Sequence, residues 1–322
     1  MISWSLDAAG GARGFRKATA VALCRHPAQN LARLQDLPDS IALCDGRFAR
    51  EIDVAATLAL EAGRLAFEAW QSGNLTEEDK GGEPVTATDR ECSALIVDGI
   101  SSLFAGDAVL SEEAPEEDVG RRLASERVWM IDPIDGTRDF VDGRSGYAVM
   151  IGLLEGARPR LGVIMHPPAS RLYVGVVGAG AWMIDGEGAP KPLHIASEPA
   201  NMSALRLVSS ASHRGTIVEA IKGALGITDE SRMGSVGVKA ALIAQGVRDL
   251  YINPSRQAKV WDNCAPEALL VAAGGRVTDL FGAPLEYRRP DPKNPHGMVA
   301  SSGAFHDEVV AAIAPVLAAK RR

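Results

Sequence analysis

The stretch Val128-Trp129-Met130-Ile131-Asp132-Pro133-Ile134-Asp135-Gly136-Thr137 constrains this chain more than any other. Four apolar residues in succession, bounded by polar ones, read as a short buried strand. The run ends on an aspartate, and Pro133 removes the backbone donor that would continue the ladder. Asp135 comes three residues after Asp132, so two carboxylates converge at a strand's carboxyl end. Gly136 lets the backbone bend close to a ligand, and Thr137 adds a hydroxyl. Backbone N–H groups left free where such a turn opens a helix form a cradle for phosphate. The competing reading is an Asp-Pro and Asp-Gly turn whose side chains satisfy their own backbone. Taken alone, the segment supports both.

Other acidic positions bear on that choice. Glu112 and Glu113 follow Val109-Leu110, Asp89 closes Pro84-Val85-Thr86-Ala87-Thr88-Asp89, and Asp262 follows Val260-Trp261 ahead of a helical pattern. Each has a plainer explanation. Asp262 reads as a helix N-cap and Asp89 as a first-turn acid, each worth about 1 kcal/mol. Glu112 to Asp118 reads as a solvated acidic loop. Together they carry a different meaning. Carboxylates about 4 Å apart repel by roughly 4 kcal/mol at an effective dielectric near 20. Three or four gathered at one point either bind protons or recruit a cation, and an all-oxygen ligand set selects a hard ion such as Mg2+.

The rest of the pattern says how such residues are carried. Residues 1–50 lack clear periodicity and read as an N-terminal extension. Over 52–70, Ala55, Leu58, Ala62, Leu65, Ala66 and Ala69 recur at three- and four-residue spacings, which predicts an amphipathic helix. A second helix is expected to start near Thr88, where Thr88 and Glu91 have capping-box spacing. Strands are expected at 147–154, 160–165, 172–177 and 181–184, separated by turns as in an antiparallel meander. Further on, strands at 205–209, 250–252 and 276–280 alternate with helices at 217–225, 238–245 and 263–273. This pattern predicts two α/β lobes, 51–198 and 199–322, with layered helices and sheets.

Bulk properties narrow the function classes. A chain of 322 residues buries a sizeable core. The formal charge of −7 argues against a general nucleic-acid binder, yet is compatible with a small anionic substrate, for which local charge matters more. Cys24, Cys44, Cys92 and Cys264 are widely spaced without a CxxC pair, which favours a reducing cytoplasm over zinc or disulfides. No apolar run approaches the roughly 20 residues a membrane span needs, and the first residues lack the order of a secretory signal.

The blocks Gly82-Glu83-Pro84-Val85-Thr86-Ala87-Thr88-Asp89, Leu110-Ser111-Glu112-Glu113, Asp132-Pro133-Ile134-Asp135-Gly136-Thr137 and Trp261-Asp262 occur in the order found in inositol monophosphatase-like proteins. The chain resembles that superfamily from about residue 52 to about residue 315, and four ordered motifs are far more specific than one. The resemblance implies a five-layer αβαβα sandwich of the inositol monophosphatase and fructose-1,6-bisphosphatase type. It implies Glu112, Asp132, Asp135, Asp262 and the Ile134 carbonyl as ligands of two or three Mg2+ ions. It implies Asp89 and Thr137, with Glu112, as the catalytic set that activates water. Ile134, Asp135, Gly136, Thr137 and Asp262 would also face the substrate. Lithium inhibition and, as is frequent among relatives, a homodimer are further implications.

The substrate is read from finer features. Arg138-Asp139-Phe140 after the Asp-Gly-Thr turn is similar to the version in bisphosphate nucleotidases. The segment before Trp261-Asp262 holds Arg256 and Lys259 and no acid, a sign of charge that suits a second phosphate. The blocks around His213 and Lys239 also resemble the bacterial nucleotidases and imply nucleotide contacts there. The plainer readings are a strand-end hydrogen bond for His213 and a solvent-exposed helix position for Lys239. The expected activity is removal of the 3′-phosphate of adenosine 3′,5′-bisphosphate. Inositol-1-phosphate or another sugar phosphate is the alternative substrate, and a catalytically silent regulatory protein of the same fold is a more distant one.

Overall fold

The computed structural model describes residues 48–319, apart from residues 74, 76, 81, 82, 117, 197 and 212–215. Nearly all of the 1–50 extension, with Cys24 and Cys44, therefore lies outside the described residues, as does His213.

Helix α1 (Ala49–Ser72) has a stripe of small residues, Ala55, Ala56, Ala59, Ala62 and Ala66, all buried. It ends where Gly73 adopts a left-handed conformation and donates to Trp70 O. A hairpin of β1 (Glu77–Lys80) and β2 (Glu83–Thr86) leads into α2 (Ala87–Leu103). The capping box forms from Thr86 and Asp89, two residues earlier than the Thr88–Glu91 pair expected from spacing. Then come β3 (Ala108–Ser111), α3 (Val119–Ala124), β4 (Arg127–Asp135) and α4 (Thr137–Val141). Pro133 does not end β4. The strand shifts register between Asp132 and Asp135, so the residue without a donor falls in a bulge and pairing resumes at Asp135 with Ala148.

Strands β5 (Ala148–Glu155), β6 (Arg158–His166), β7 (Arg171–Val176), β8 (Gly180–Asp185) and β9 (Lys191–Leu193) complete the expected meander. The seven-stranded sheet has the order β3-β4-β5-β6-β7-β8-β9, parallel only at β3–β4. The remaining elements are β10 (Leu207–Ser210), α5 (Thr216–Leu225), β11 (Glu230–Met233), α6 (Val236–Ala244), β12 (Leu250–Asn253), α7 (Val260–Ala272), β13 (Arg276–Thr278), β14 (Met298–Ser301) and α8 (His306–Ala319). Five of these strands form a second sheet, β11-β10-β12-β14-β13. β11, β14 and α8 were not anticipated from the sequence pattern.

The layers follow from which faces are apolar. α1 and α2 cover one face of the large sheet, α6 and α7 fill the space between the sheets, and α5 with α8 cover the far face of the small sheet. The result is an αβαβα sandwich. Gly152, Gly162 and Gly175 stand opposite one another across β5, β6 and β7. A Cβ on them would come within 2.6 Å of Cys264 Sγ, 2.3 Å of Ala265 O and 2.4 Å of Leu269 Cα. This glycine stripe is the seat on which α7 lies, and it fixes where the helix's first turn, with Asp262, arrives. No helix of the described residues is long and apolar enough to cross a membrane.

Candidate active site

The acids of the central motif are buried at the end of β4. Asp132 is 3% exposed and Asp135 is 7% exposed. Gly136 follows at φ +91°, and a Cβ there would lie 2.5 Å from Gly146 O, so only glycine fits the turn. Thr137 opens α4, and its hydroxyl donates to Ile134 O at 2.9 Å or to Asp89 Oδ1 at 3.4 Å. Asp89 Oδ2 in turn accepts from Thr86 N at 2.9 Å and from Thr86 Oγ1 at 2.5 Å. Burial raises the Asp89 carboxyl to about 6 against these hydrogen bonds, and the charge of Glu113 adds to the rise.

Glu112 leaves the end of β3, its N–H held by Ile131 O at 3.2 Å. Burial, then the charges of Asp262 and Glu113, push its carboxyl well above the usual range, while a hydrogen bond with Asp132 opposes the rise. Asp132 is raised by burial first and then by Glu112, Asp135 and Asp262. Asp262 lies in the first turn of α7, not ahead of it, and its Oδ2 accepts from Lys259 N at 2.8 Å. It is therefore a third-position acid rather than the N-cap, which is Lys259. The four proposed side-chain ligands and Asp89 thus form one network of mutually repelling groups.

Among the described residues, no three His, Cys, Asp or Glu side chains close around a point as a ready-made metal cage. The reason is visible in the hydrogen bonds. Asp135 turns Oδ2 to Ser235 Oγ at 2.5 Å and Gly237 N at 2.8 Å, and Asp89 and Asp262 turn to backbone N–H groups. The donor set nonetheless fits a hard divalent ion. It is all oxygen, its charges are uncompensated by one another, and Asp132 Oδ1 is buried with no hydrogen-bond partner.

Lys239 departs from both sequence readings. It is 1% exposed, and its Nζ donates to Met233 O at 3.2 Å and Gly234 O at 2.7 Å while lying 4.7 Å from the Tyr251 ring centre. Burial lowers it to about 8, and Asp135, Asp139 and Asp262 oppose that shift. Packed between the sheets on α6, it has no free surface to offer a ligand and instead backs Asp135 with positive charge. Three partners escaped the sequence reading: Thr86, Ser235 and Gly237. Ser235 is the N-cap of α6, which its residue type signals, but its bond to Asp135 spans 100 positions.

Comparison with known proteins agrees with this geometry. The model of the inositol monophosphatase family matches residues 49–317. The chain is 35% identical over 254 residues to the 3'-phosphoadenosine 5'-phosphate phosphatase of Mycobacterium leprae (strain TN), covering 75% of this chain and 86% of that one. It is 33% identical over 234 residues to a histidinol-phosphatase of Mycobacterium tuberculosis (strain ATCC 25618 / H37Rv), covering 70% and 83%. Among solved structures, the Thermotoga maritima IMPase superposes with a TM-score of 0.70 at 25% identity, covering 84% and 99%. With family motifs, layered fold and oxygen-rich site in agreement, this chain belongs to the inositol monophosphatase family and is a magnesium-dependent phosphomonoester hydrolase.

Proposed function

We propose that the chain hydrolyses the 3′-phosphate of adenosine 3′,5′-bisphosphate to give AMP and orthophosphate. The observation that carries this reading is the 35% identity to a 3'-phosphoadenosine 5'-phosphate phosphatase across 86% of that protein's length. The local charge agrees. A β-bridge sets Lys293 beside Lys259 just before Asp262, with Arg256 exposed nearby. These basic residues precede Asp262 in sequence or pair with that segment across the bridge, a sign of charge that suits a substrate with a second phosphate.

Glu112, Asp132, Asp135, Asp262 and the Ile134 carbonyl would hold two or three Mg2+ ions. When bound, these ions supply polarisation of the phosphoryl group, a more acidic water and charge neutralisation on the leaving oxygen. The chain's own part is positioning and proton transfer. Gly136 and Thr137 bring backbone N–H groups to the phosphoryl oxygens. Thr137 Oγ1 accepts a proton from the attacking water and passes its own to the Asp89 carboxylate. The new P–O bond forms as the bond to the 3′ oxygen breaks, and that oxygen takes a proton from solvent. His213 is the further nucleotide contact that the sequence motif offers.

A second reading deserves a direct trial, because a histidinol-phosphatase is similar at nearly the same identity and an inositol phosphatase superposes over most of the chain. Phosphate release with Mg2+ is to be measured for adenosine 3′,5′-bisphosphate, inositol-1-phosphate and histidinol phosphate side by side. The nucleotide should show the highest kcat/KM, and LiCl should inhibit. A clear preference for either of the other esters replaces the nucleotide assignment.

A further inference from the structure

Glu112 and Asp262 reach the acidic cluster from different parts of the fold, and their charges repel. Glu112 begins a loop that leaves the edge strand β3. Behind that loop, Ala114, Pro115 and Glu116 border a groove of about 580 Å³ rather than packed core. Something other than packing must hold it.

Arg122 does so. Its side chain is 3% exposed, its Nε donates to Glu116 Oε1, and its Nη2 donates to Pro290 O at 3.1 Å. The segment bearing Pro290 continues to Pro292, whose carbonyl accepts from Val260 N at 2.9 Å, and to Asn294, whose N–H donates to Ala258 O at 2.6 Å. One guanidinium therefore joins the Glu112 loop to the ribbon that starts α7, two residues from Asp262. Elsewhere the same segment is fixed independently. Arg158 Nη1 donates to Leu285 O at 3.0 Å, and the Tyr287 hydroxyl donates to Glu267 at 2.7 Å.

We propose that Arg122 is a positioning residue that clamps the Glu112 loop to the start of α7 and so sets the spacing between Glu112 and Asp262 within the acidic cluster. It touches neither the ion nor the substrate. The inference rests on the reading of these acids as a Mg2+ site. A planar fork is what the task needs, since it grips a carboxylate and a carbonyl at once; an ammonium on a flexible stem does not hold that geometry.

The test is a Mg2+ titration of the full chain by calorimetry, with thermal midpoints and Mg2+-dependent phosphate release measured in parallel. The variants are Arg122→Lys, Glu116→Gln and, as a control on the same segment, Arg158→Lys. Arg122→Lys and Glu116→Gln should each weaken Mg2+ binding about tenfold or more and leave kcat at saturating Mg2+ within about twofold. Arg158→Lys should lower the thermal midpoint and leave Mg2+ affinity unchanged. Wild-type Mg2+ affinity in folded Arg122→Lys overturns the clamp, as does equal weakening by Arg158→Lys, which would make rigidity of the whole segment the cause. If Arg122→Lys does not fold, Glu116→Gln decides alone. A wild-type chain that binds no Mg2+ strikes the metal-site reading itself and the clamp with it.

Discussion

Helix α7 carries two acids five residues apart, the half-buried Asp262 and the buried Glu267, and their surroundings differ. Glu267, 2% exposed, meets Arg158 at Oε1 and the Tyr287 hydroxyl at Oε2. Burial lifts its carboxyl to about 7, and both partners oppose that rise. At the head of the same helix, Asp262 joins Glu112, Asp132 and Asp135, and the neighbours that move Glu112 most after burial are other acids. Burying a carboxylate is costly in both places. Where the chain answers the charge with its own cation and hydroxyl, the group is part of the architecture. At the cluster the chain supplies one buried cation, Lys239 behind Asp135, against the four acids Glu112, Asp132, Asp135 and Asp262, and the excess negative charge supports reading this end as a site for a cation from outside.

Asp135→Asn is the sharpest way to break this comparison. The amide keeps the size of the side chain and an acceptor for Ser235 Oγ and Gly237 N, so the local hydrogen bonds survive. It loses the charge. Turnover with Mg2+ should drop on the order of 10³-fold or more, with an unchanged far-UV circular dichroism spectrum. If the variant unfolds globally, Asp135 belongs with Glu267 as a structural acid.

Glu267→Gln is the mirror experiment and should show a smaller effect on a different axis. Arg158 is 42% exposed and stays partly solvated when its partner becomes neutral, so the expected loss is about 2 kcal/mol of stability in denaturant titrations. Turnover should stay within about twofold. A fall in turnover comparable to that of Asp135→Asn would erase the distinction between the two ends of the helix.

The contrast also shows what a sequence displays. The four acidic blocks were readable because each is local: an apolar run, then an acid, then a turn or helix start. The capping box was displaced by two residues because Thr86…Asp89 and Thr88…Glu91 satisfy the same spacing rule, and only the β1–β2 hairpin selects the first. The seat of α7 was hidden, since Gly152, Gly162 and Gly175 acquire meaning only when three strands pair in register. Lys239 was hidden for a related reason. A helix between two sheets has little exposed face, so helical position could not reveal that it lies against Tyr251 behind Asp135. Ser235 announced a cap, but nothing local announced that it also serves Asp135.

The smallest expected change in stability concerns Asp89, a buried acid beside the charge of Glu113. Its carboxyl titrates near 3.8 in an unfolded chain and is raised to about 6 in the fold, chiefly by burial. Between those values the folded protein binds more protons than the unfolded one, so stability falls as pH rises from about 4 through about 6. Above 6 the full cost is in place, about 1–3 kcal/mol for a shift of this size in a mostly buried group. Asp89→Asn removes that cost and can still accept from Thr86. In Mg2+-free buffer at pH 7.5 the variant should therefore be more stable than wild type by about 1 kcal/mol, and the difference should shrink toward zero as pH is lowered to 4. Its turnover should be lost, because the amide cannot take the proton that Thr137 passes on. Denaturant midpoints at pH 4, 6 and 7.5 for both proteins give the comparison directly. A variant that is less stable at pH 7.5, with a gap that does not change with pH, would mean that the buried charge of Asp89 is already compensated by Thr86 and Thr137, as Glu267 is by Arg158 and Tyr287.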